Sequence, residues 1–301
     1  MTRIVFVSDL HVDSSVANRE FVPALRDAVL AASPDVFMMG GDIAGNLEDF
    51  NWTLRQFANL PALKVMVPGN HDIWIESKRA LLTGLDSGGK YNVHLPKIAE
   101  ANGFVMLHDR PVAVGEIAIA GCMGWYDYSY RNADLDTTAT LTDYARGVWT
   151  NPRTGQPHMW NDMQNVWWLK DLHEPAQGLS RAGLCRSDAE ITASMATALR
   201  AQLAEAVEGG AERVIVVTHF VPSRQLLVYG GTPQDYWNAY HGATTIEAAI
   251  TGCALVTHAF FGHLHHDTDI KNGKIRYISR PVGYIDSGPI TAADRLHVLD
   301  V

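Results

Sequence analysis

Five apolar stretches of this sequence are each followed directly by side chains that bind metal ions, and this repetition constrains the fold. The polar segments are, in chain order, Asp9-Leu10-His11, Gly41-Asp42, Gly69-Asn70-His71-Asp72, Thr218-His219 and Gly262-His263-Leu264-His265. In an open α/β sheet, ligands bind at the edge where the parallel strands end. The pattern therefore predicts that residues far apart in the chain meet at one edge of a sheet.

The first third of the chain alternates apolar strands with amphipathic helices. Strands are predicted at 4–8, 35–39 and 64–67, with helices at 18–32 and 48–58 between them. This order implies parallel strands that are joined by right-handed crossovers. The first three polar segments follow these three strands, so we expect them at the same edge of the sheet.

The strand pattern resumes later in the chain. Further strands are predicted at 104–107, Val112–Val114, 117–122, Arg213–Val217, Val256–Phe261, 276–279 and 296–299. Asn272-Gly273, within 269–274, is typical of a β-hairpin turn. A long alanine-rich helix is predicted over 187–207, with Ser187 as its N-cap. These elements predict an antiparallel part beside the parallel one.

Residues 130–185, roughly, are richer in Thr, Asn, Asp, Trp and Pro than the rest of the chain. We interpret them as an aromatic-rich cap insertion in a single domain of residues 1–301, with one helix near 161–172. Aromatic faces stack on nucleobases for roughly 1–3 kcal/mol each, so Trp125 and Tyr126, just before this segment, are candidate substrate contacts. The alternative is that these aromatic side chains only pack an insertion that lacks its own core.

As candidate metal ligands, the five polar segments supply two aspartates (Asp9 and Asp42), one asparagine and four or five histidines. Hard oxygen and imidazole nitrogen suit a pair of divalent cations such as Mn, Fe, Zn or Ni. A two-metal site favours displacement at phosphorus, which makes hydrolysis of a phosphate ester the leading hypothesis. Each segment alone has a simpler explanation, because Asp at a strand end usually caps a turn and a lone His usually lies on the surface.

The blocks DLH, GGD, GNHD, TH and GHLH, in this order, resemble the calcineurin-like metallophosphoesterase superfamily and span residues 9–265. The resemblance implies an α/β fold, an αββα sandwich of two mixed β-sheets flanked by helices, with a dinuclear metal centre. A water or hydroxide between the two ions would attack phosphorus in line. Seven residues would be metal ligands: Asp9, His11 and His265 for one ion, Asn70, His219 and His263 for the other, and Asp42 bridging both.

The same resemblance implies roles for two residues of the GNHD block. His71 matches the family's histidine that is not a ligand, which would stabilise the developing charge or protonate the leaving oxygen. Asp72 would orient His71, as a carboxylate beyond the ligands often does. Both are therefore candidate catalytic residues.

The second block departs from the family's protein phosphatases, which usually read GDxxDRG. Here the run is Gly41-Asp42-Ile43-Ala44-Gly45-Asn46, without arginine. Arginine binds a phosphate dianion in bidentate fashion, so its absence argues against a Ser/Thr protein phosphatase. The blocks resemble the bacterial phosphodiesterase branch more closely. Arg131, Arg224 or Lys170 would supply a cation if the substrate were a monoester, so monoesters stay open.

We therefore predict a phosphodiesterase that acts on a small substrate, with a nucleotide as one option. The alternatives are a phosphomonoesterase acting on a small molecule or a protein, a DNA nuclease, and a non-catalytic scaffold. The net charge of −9 disfavours nucleic acid as a partner, because nucleic-acid affinity depends on Lys and Arg. No apolar run reaches the ~20 residues of a membrane helix, and three scattered cysteines favour reduced thiols. A cytoplasmic location without a membrane partner is therefore expected.

Overall fold

Two mixed β-sheets form the centre of the protein, seen in a computed structural model that describes residues 1–75, 81, 84–152, 154–170, 181–285 and 290–301. A small two-stranded hairpin lies beside them. The strands of the described residues are β1 (Arg3–Val7), β2 (Val36–Met39), β3 (Leu63–Met66), β4 (Phe104–Met106), β5 (Val112–Val114), β6 (Ile117–Gly121), β7 (Val148–Thr150), β8 (Pro157–Met159), β9 (Arg213–Val217), β10 (Val256–Phe261), β11 (Thr268–Asn272), β12 (Ile275–Ser279) and β13 (His297–Asp300).

The first sheet has five strands in the order β13-β1-β2-β3-β4. Strands β1 to β4 are parallel, and β13 pairs with β1 in the antiparallel direction at the edge. In the register of β1 and β2, Val7 lies opposite Met39. The carboxyl ends of β1, β2 and β3 therefore lie side by side, as the alternation of strands and helices predicts.

The second sheet has six strands in the order β11-β12-β10-β9-β6-β5. Strands β6, β9, β10 and β12 are parallel, and the two edge strands β5 and β11 are antiparallel to their neighbours. The hairpin predicted at Asn272-Gly273 is confirmed, because β11 ends at Asn272 and β12 begins at Ile275. The carboxyl ends of β9 and β10 carry the fourth and fifth polar segments.

Apolar side chains on the facing sides of the sheets form the core between them. In β1, Ile4 and Phe6 face the second sheet, whereas Val5 and Val7 belong to the core under the helices. This division follows from the alternation of side chains along a strand. It explains why the strands read as continuous apolar runs, since both of their faces are buried.

Helices cover the outer faces of both sheets. The α-helices of the described residues are α1 (Val16–Ala32), α2 (Leu47–Phe57), α3 (Leu95–Ala101), α4 (Leu141–Arg146), α5 (Asp162–Asn165), α6 (Arg181–Leu184), α7 (Asp188–Glu208) and α8 (Thr244–Gly252). A helical turn at Ser87–Gly89 and a π-helical turn at Lys90–His94 precede α3. Short 3₁₀ helices lie at His71–Ile73, Ala133–Leu135, Arg224–Leu226, Pro233–Tyr240 and Ala293–Arg295. The αββα sandwich implied by the resemblance is confirmed.

The long alanine-rich helix begins where the sequence predicts. The Ser187 side chain accepts a hydrogen bond from the backbone N–H of Glu190, and the Glu190 carboxylate accepts one from the backbone N–H of Ser187. This reciprocal capping box satisfies two N–H groups that have no partner within the helix. Ser187 is thus confirmed as the N-cap of α7.

The helix predicted near 161–172 is wrong in length. Among its described residues, which end at 170, only Asp162–Asn165 are helical, and Val166 already has extended backbone angles. Leu169 then pairs with Cys185 in an isolated β-bridge. A single helical turn is favoured here because the following residues gain backbone partners in an extended conformation. Residues 171 and 172 lie outside the described residues.

The segment of residues 130–185 contains the β7–β8 hairpin and the short helices α4, α5 and α6. It touches the first sheet's loops, since the backbone N–H of Ile75 donates to the Asn165 carbonyl over 2.7 Å. The division of residues 1–301 into one domain with a cap stays a prediction. In the described part of the chain, no helix is long and apolar enough to cross a membrane.

Candidate metal centre

The loops at one edge of the sandwich bring the seven candidate ligands together. Asp9 and His11 follow β1, Asp42 follows β2, and Asn70 follows β3. The second sheet adds its own ligands after β9 and β10, namely His219, His263 and His265. The predicted convergence of residues distant in sequence is therefore present in the geometry.

The first group of candidate ligands is tight. One ligand atom from each of Asp9, His11, Asp42 and His265 lies within 4.8 Å of the others. The Nε2 atoms of His11 and His265 are only 2.9 Å apart, and His265 Nε2 lies 3.4 Å from Asp9 Oδ1. Two atoms that bind one ion at about 2.1 Å and at right angles lie about 3 Å apart. The spacing of the two imidazoles fits a shared cation.

The second group is built around His219. Its Nε2 atom lies 3.0 Å from Asn70 Oδ1 and 3.3 Å from Asp42 Oδ2. Its Nδ1 atom lies 2.8 Å from the Gly40 carbonyl, which can only accept a hydrogen bond. Nδ1 therefore carries a proton, and Nε2, which is directed at the two oxygens, is the nitrogen that could bind a cation once its own proton is displaced. The ring centroid of His263 lies 5.2 Å from that of His219.

Asp42 belongs to both groups. Its Oδ2 atom lies 3.6 Å from His11 Nε2 and 3.3 Å from His219 Nε2. Its Oδ1 atom accepts a hydrogen bond of 2.9 Å from the backbone N–H of His71, which fixes the carboxylate plane. One side chain thus faces imidazoles from the first sheet and from the second sheet.

Two buried polar atoms support a cation at this place. Asp9 Oδ2 and His263 Nε2 are shielded from solvent and have no hydrogen-bond partner among the described residues. A buried carboxylate oxygen without a partner costs free energy unless an ion or a proton meets it. The donors, two carboxylates, one amide oxygen and imidazole nitrogens, fit a divalent ion of the Mn, Fe, Zn or Ni type.

The backbone at the centre is strained. Among the described residues, seven residues other than glycine have positive φ, and five of them are candidate ligands: Asp9, His11, Asp42, His263 and His265. Each such conformation costs of order 1–3 kcal/mol and persists where the surroundings impose it. The clustering of strain on ligands is typical of a functional site.

Glycines allow the loops to approach closely. A Cβ atom on Gly69 would lie 2.1 Å from Asp42 Oδ1, and one on Gly262 would lie 2.6 Å from Asp9 Oδ2. Any larger residue at either position would displace a candidate ligand. Glycine is thus required there by space, in addition to the turn.

Asp72 holds the loops in place through their backbone. Its two carboxylate oxygens accept hydrogen bonds of 2.7–3.0 Å from the backbone N–H groups of Asp42, Ile43, Ala44 and Gly69. Burial and the charge of Asp42 raise the pKa of Asp72 to about 7. In the described part of the chain the hydrogen bonds of Asp72 go to loop backbone, so its predicted role in orienting the His71 ring stays a prediction.

His71 rests on an aromatic ring that the sequence did not single out. The His71 ring stacks on Trp74 at a centroid distance of 3.6 Å and meets His11 edge-on at 4.6 Å. The Trp74 indole donates to Asp162 Oδ1 over 2.7 Å. Tyr284, which is 48% exposed, stacks on His11 at 4.7 Å and borders the mouth of the centre.

The electrostatics of the two aspartates favour ionisation. Burial opposes the charge of Asp42, but the charges of His219 and His71 and a hydrogen bond from His219 outweigh it and lower its pKa. Burial likewise opposes ionisation of Asp9, whose pKa is lowered by His265 and His219. In turn, burial disfavours the charge of His219, yet Asp42 and Asp9 raise its pKa to about 9. Binding of a cation at His219 Nε2 therefore displaces a proton.

The four residues that were predicted to contact substrate make their contacts with other parts of the protein. Trp125 and Tyr126 are fully buried and stack on each other at 4.5 Å, so the structure gives their predicted contact with substrate no support. The Arg131 guanidinium donates to Asp136 over 2.8 and 3.1 Å. Arg224 donates to the Tyr229 hydroxyl and the Arg131 carbonyl. All four side chains are engaged within the protein.

Sandwiched sheets with two groups of oxygen and imidazole ligands at one edge define a metal-dependent hydrolase with a dinuclear centre. The chain belongs to the calcineurin-like phosphoesterase family, whose sequence profile matches residues 2–267. It is therefore a phosphoric ester hydrolase, and the family uses a dinuclear divalent metal centre. A search of curated proteins found no match.

Two solved structures are similar to this chain. The phosphopantetheinyl hydrolase of Mycobacterium tuberculosis is 20% identical, with a TM-score of 0.71, over 98% of this chain and 95% of that chain. A dimetal phosphatase from Danio rerio is 15% identical, with a TM-score of 0.47, over 92% of this chain and 86% of that chain. At 20% identity the likeness to the phosphopantetheinyl hydrolase concerns the fold alone.

Proposed function

We propose that this hydrolase is a phosphodiesterase that cleaves a small organic phosphodiester with two divalent ions. The observation that carries the proposal is the position of Asp42 Oδ2, 3.6 Å from His11 Nε2 and 3.3 Å from His219 Nε2. A carboxylate that faces two separate ligand groups is suited to bridge two ions. Two ions held in this way stabilise both the attacking and the leaving oxygen of a displacement at phosphorus.

The roles of the residues follow from their contacts. When bound, the two ions supply Lewis acidity at the phosphoryl oxygens and an activated water. Asp42 keeps the two ligand groups at a fixed separation. His71 lies beside His11 on the open side of the centre and is the proposed proton donor to the leaving oxygen. Tyr284 borders the same opening and is the proposed aromatic contact for the substrate.

The positions and hydrogen bonds of the arginines favour a diester over a monoester as the substrate. The loop after β2 reads Gly41-Asp42-Ile43-Ala44-Gly45 and contains no arginine. Arg131 and Arg224 make their hydrogen bonds to Asp136, Tyr229 and a backbone carbonyl. A monoester dianion gains most from a bidentate guanidinium, whereas a diester carries one negative charge less. A phosphomonoesterase remains the alternative.

The metal and the location are further parts of the proposal. Manganese is our first choice of ion, because carboxylate and amide oxygens among the ligands suit it. The three cysteines are free thiols, and two of them, Cys122 and Cys185, are buried. Free thiols suit a reducing compartment, so we propose a cytoplasmic location.

The experiment is a substrate panel on metal-free protein that is reloaded separately with Mn²⁺, Fe²⁺, Zn²⁺ or Ni²⁺. The panel contains cyclic nucleotides, linear diesters, monoesters and single-stranded DNA. It also contains a phosphopantetheinyl ester, because one structural neighbour is named for that group. We expect the highest kcat/KM for a small diester, and none without metal.

Other outcomes decide between the alternatives. A monoester turned over at least tenfold faster than any diester would replace the proposal with a phosphomonoesterase. Preferential cleavage of DNA would make the protein a nuclease. Turnover of no ester with any of the four ions would contradict the proposal as a whole.

A further inference from the structure

A carboxylate from the 130–185 segment reaches the candidate centre. Asp162, the first residue of α5, is 1% exposed. Its Oδ1 atom accepts from Asn70 Nδ2 over 2.9 Å and from Trp74 Nε1 over 2.7 Å. Its Oδ2 atom accepts from Trp160 Nε1 over 3.0 Å. Three side-chain donors thus converge on one buried carboxylate.

The bond to Asn70 decides which end of its amide faces the centre. An asparagine amide has a donor end and an acceptor end, and only the oxygen can bind a cation. A carboxylate only accepts, so Asp162 binds the NH₂ end of Asn70. This leaves Asn70 Oδ1 directed at His219 Nε2, 3.0 Å away. The reversed amide would place two oxygens of Asn70 and Asp162 against each other.

The bond to Trp74 reaches His71. The Trp74 ring carries the His71 ring at a centroid distance of 3.6 Å and an interplanar angle of 26°. Because the indole N–H is held by Asp162, rotation of the Trp74 ring would break a hydrogen bond of 2.7 Å. The same carboxylate therefore fixes the ligand Asn70 and the support of the proposed proton donor.

We propose that Asp162 is a positioning residue: it orients the Asn70 amide toward the second ion and holds Trp74 beneath His71. This inference rests on the proposed function. It makes the 130–185 segment part of the catalytic apparatus, because the segment completes the surroundings of a metal ligand. Loss of such a partner behind a ligand typically weakens metal affinity by 10–100-fold.

The chain offers a control in Asp188, a half-buried residue whose carboxylate also binds an indole N–H. Asp188 Oδ1 accepts from Trp125 Nε1 over 2.8 Å, and its Oδ2 accepts from the Tyr128 hydroxyl. It therefore resembles Asp162 in its indole partner, although Asp162 is the more deeply buried of the two, and the hydrogen bonds of Asp188 do not involve any candidate ligand. A change from Asp to Asn at each position removes one negative charge and places an NH₂ group against an N–H or O–H donor.

The test compares Asp162→Asn, Asp188→Asn and the wild-type protein after removal of metal. Calorimetric titration with Mn²⁺ gives the number and affinity of the sites, and thermal unfolding gives the stability. We expect Asp162→Asn to bind one ion normally and the other about tenfold more weakly. Asp188→Asn is expected to lose stability and to keep both affinities. Two wild-type affinities in Asp162→Asn, or equal weakening in both variants, would overturn the inference.

A second variant covers the case in which Asp162→Asn does not unfold cooperatively. Trp74→Phe keeps a smaller aromatic ring under His71 and removes the indole N–H, and it leaves the Asn70–Asp162 bond in place. We expect both ions to bind with wild-type affinity and kcat to fall several-fold at unchanged KM. Wild-type kcat in this variant would contradict the role of Trp74 in holding His71. Weaker binding of an ion would contradict the role of the Asn70–Asp162 bond in metal binding.

Measurements of metal binding distinguish a failure of this inference from a failure of the proposed function. A wild-type protein that binds two ions but hydrolyses no ester would refute the phosphodiesterase, and the titrations would still test Asp162. An active wild-type enzyme with an Asp162→Asn variant that binds both ions normally would refute only the role of Asp162.

Discussion

The two halves of the candidate centre differ in what holds their ligands in place. In the first half, Asp9 and Asp42 are fixed by backbone N–H groups of the loops, His263 N to Asp9 Oδ1 at 2.8 Å and His71 N to Asp42 Oδ1 at 2.9 Å. In the second half, the Asn70 side chain is held by Asp162, which belongs to the 130–185 segment. The first half is thus built by sheet topology, and the second also requires a segment outside both sheets.

The comparison of the two halves indicates where substitutions would change metal affinity. A half built on backbone hydrogen bonds depends on the loops alone, and Asp72 with its four backbone donors keeps them together. A half supported by a side chain from another segment depends on how that segment packs. We therefore expect the affinity of the second ion to respond to changes in residues 130–185, and that of the first ion to be insensitive to them.

The largest effect is expected for Asp42→Asn, because Asp42 is common to both halves. The variant should bind one ion or none, and kcat/KM should fall on the order of a thousandfold or more, as expected when several kcal/mol of charge stabilisation are lost. Metal analysis after dialysis and steady-state kinetics measure the two quantities. Asp188→Asn is the control for loss of a hydrogen-bonded carboxylate away from the centre. A fully loaded, active Asp42→Asn enzyme would refute the assignment.

The variants His265→Ala and His263→Ala each remove one ligand from a different half of the centre, so they test whether the two halves bind their ions independently. Each variant should lose one ion and at least about a hundredfold in kcat, because both ions take part in the displacement. With Mn²⁺, each should show the spin-resonance spectrum of an isolated ion, whereas the wild type shows that of a coupled pair. If one variant lost both ions, the halves would not be independent, and the comparison would have to be withdrawn.

A smaller loss of catalytic rate is expected for His71→Ala. The variant should keep both ions, while kcat falls roughly a hundredfold, as for loss of a positioned proton donor. Kinetics with a diester and metal analysis on the same sample measure this. His94→Ala, at an exposed position, is the control. Loss of metal in His71→Ala would show that His71 is a ligand.

The smallest expected effect is on stability. Chelation should lower the midpoint of thermal unfolding by about 8 °C, since each ion at a hundred times its Kd contributes about 2.7 kcal/mol, and two ions contribute about 5 kcal/mol. Scanning calorimetry with and without Mn²⁺ measures the shift. Asp42→Asn, which is expected to bind one ion or none, should show half of this shift or less. An equal shift in the variant and the wild type would indicate that the ions act elsewhere on the protein.

The framework of the centre could be predicted from the sequence because its signals are local. The strands before Asp9 and Asp42 are continuous apolar runs, and the polar residues follow at once, so element type and sheet edge are both determined. The observed strand β1, Arg3–Val7, differs from the predicted 4–8 by one residue at each end. Such small shifts leave the ligand positions unchanged.

The hydrogen bonds from Asp162 to Asn70 and Trp74, which support the second half, could not be predicted from the sequence. Asp162 lies in a segment where a helix over 161–172 was predicted, and the true helix, Asp162–Asn165, has a single turn. Its partner Trp74 carries no signal of its own, since a tryptophan after GNHD reads as an ordinary apolar residue. The contact between them joins residues 88 positions apart. Only the packing of the segment against the loop determines it.

The central claim is that seven side chains hold two neighbouring ions with Asp42 between them. Anomalous diffraction from crystals of Mn²⁺-loaded protein tests this most directly. The account predicts two peaks about 3.5–4 Å apart, both in contact with Asp42, one beside His265 and the other beside Asn70. A single peak, or two peaks that do not share Asp42, would contradict it.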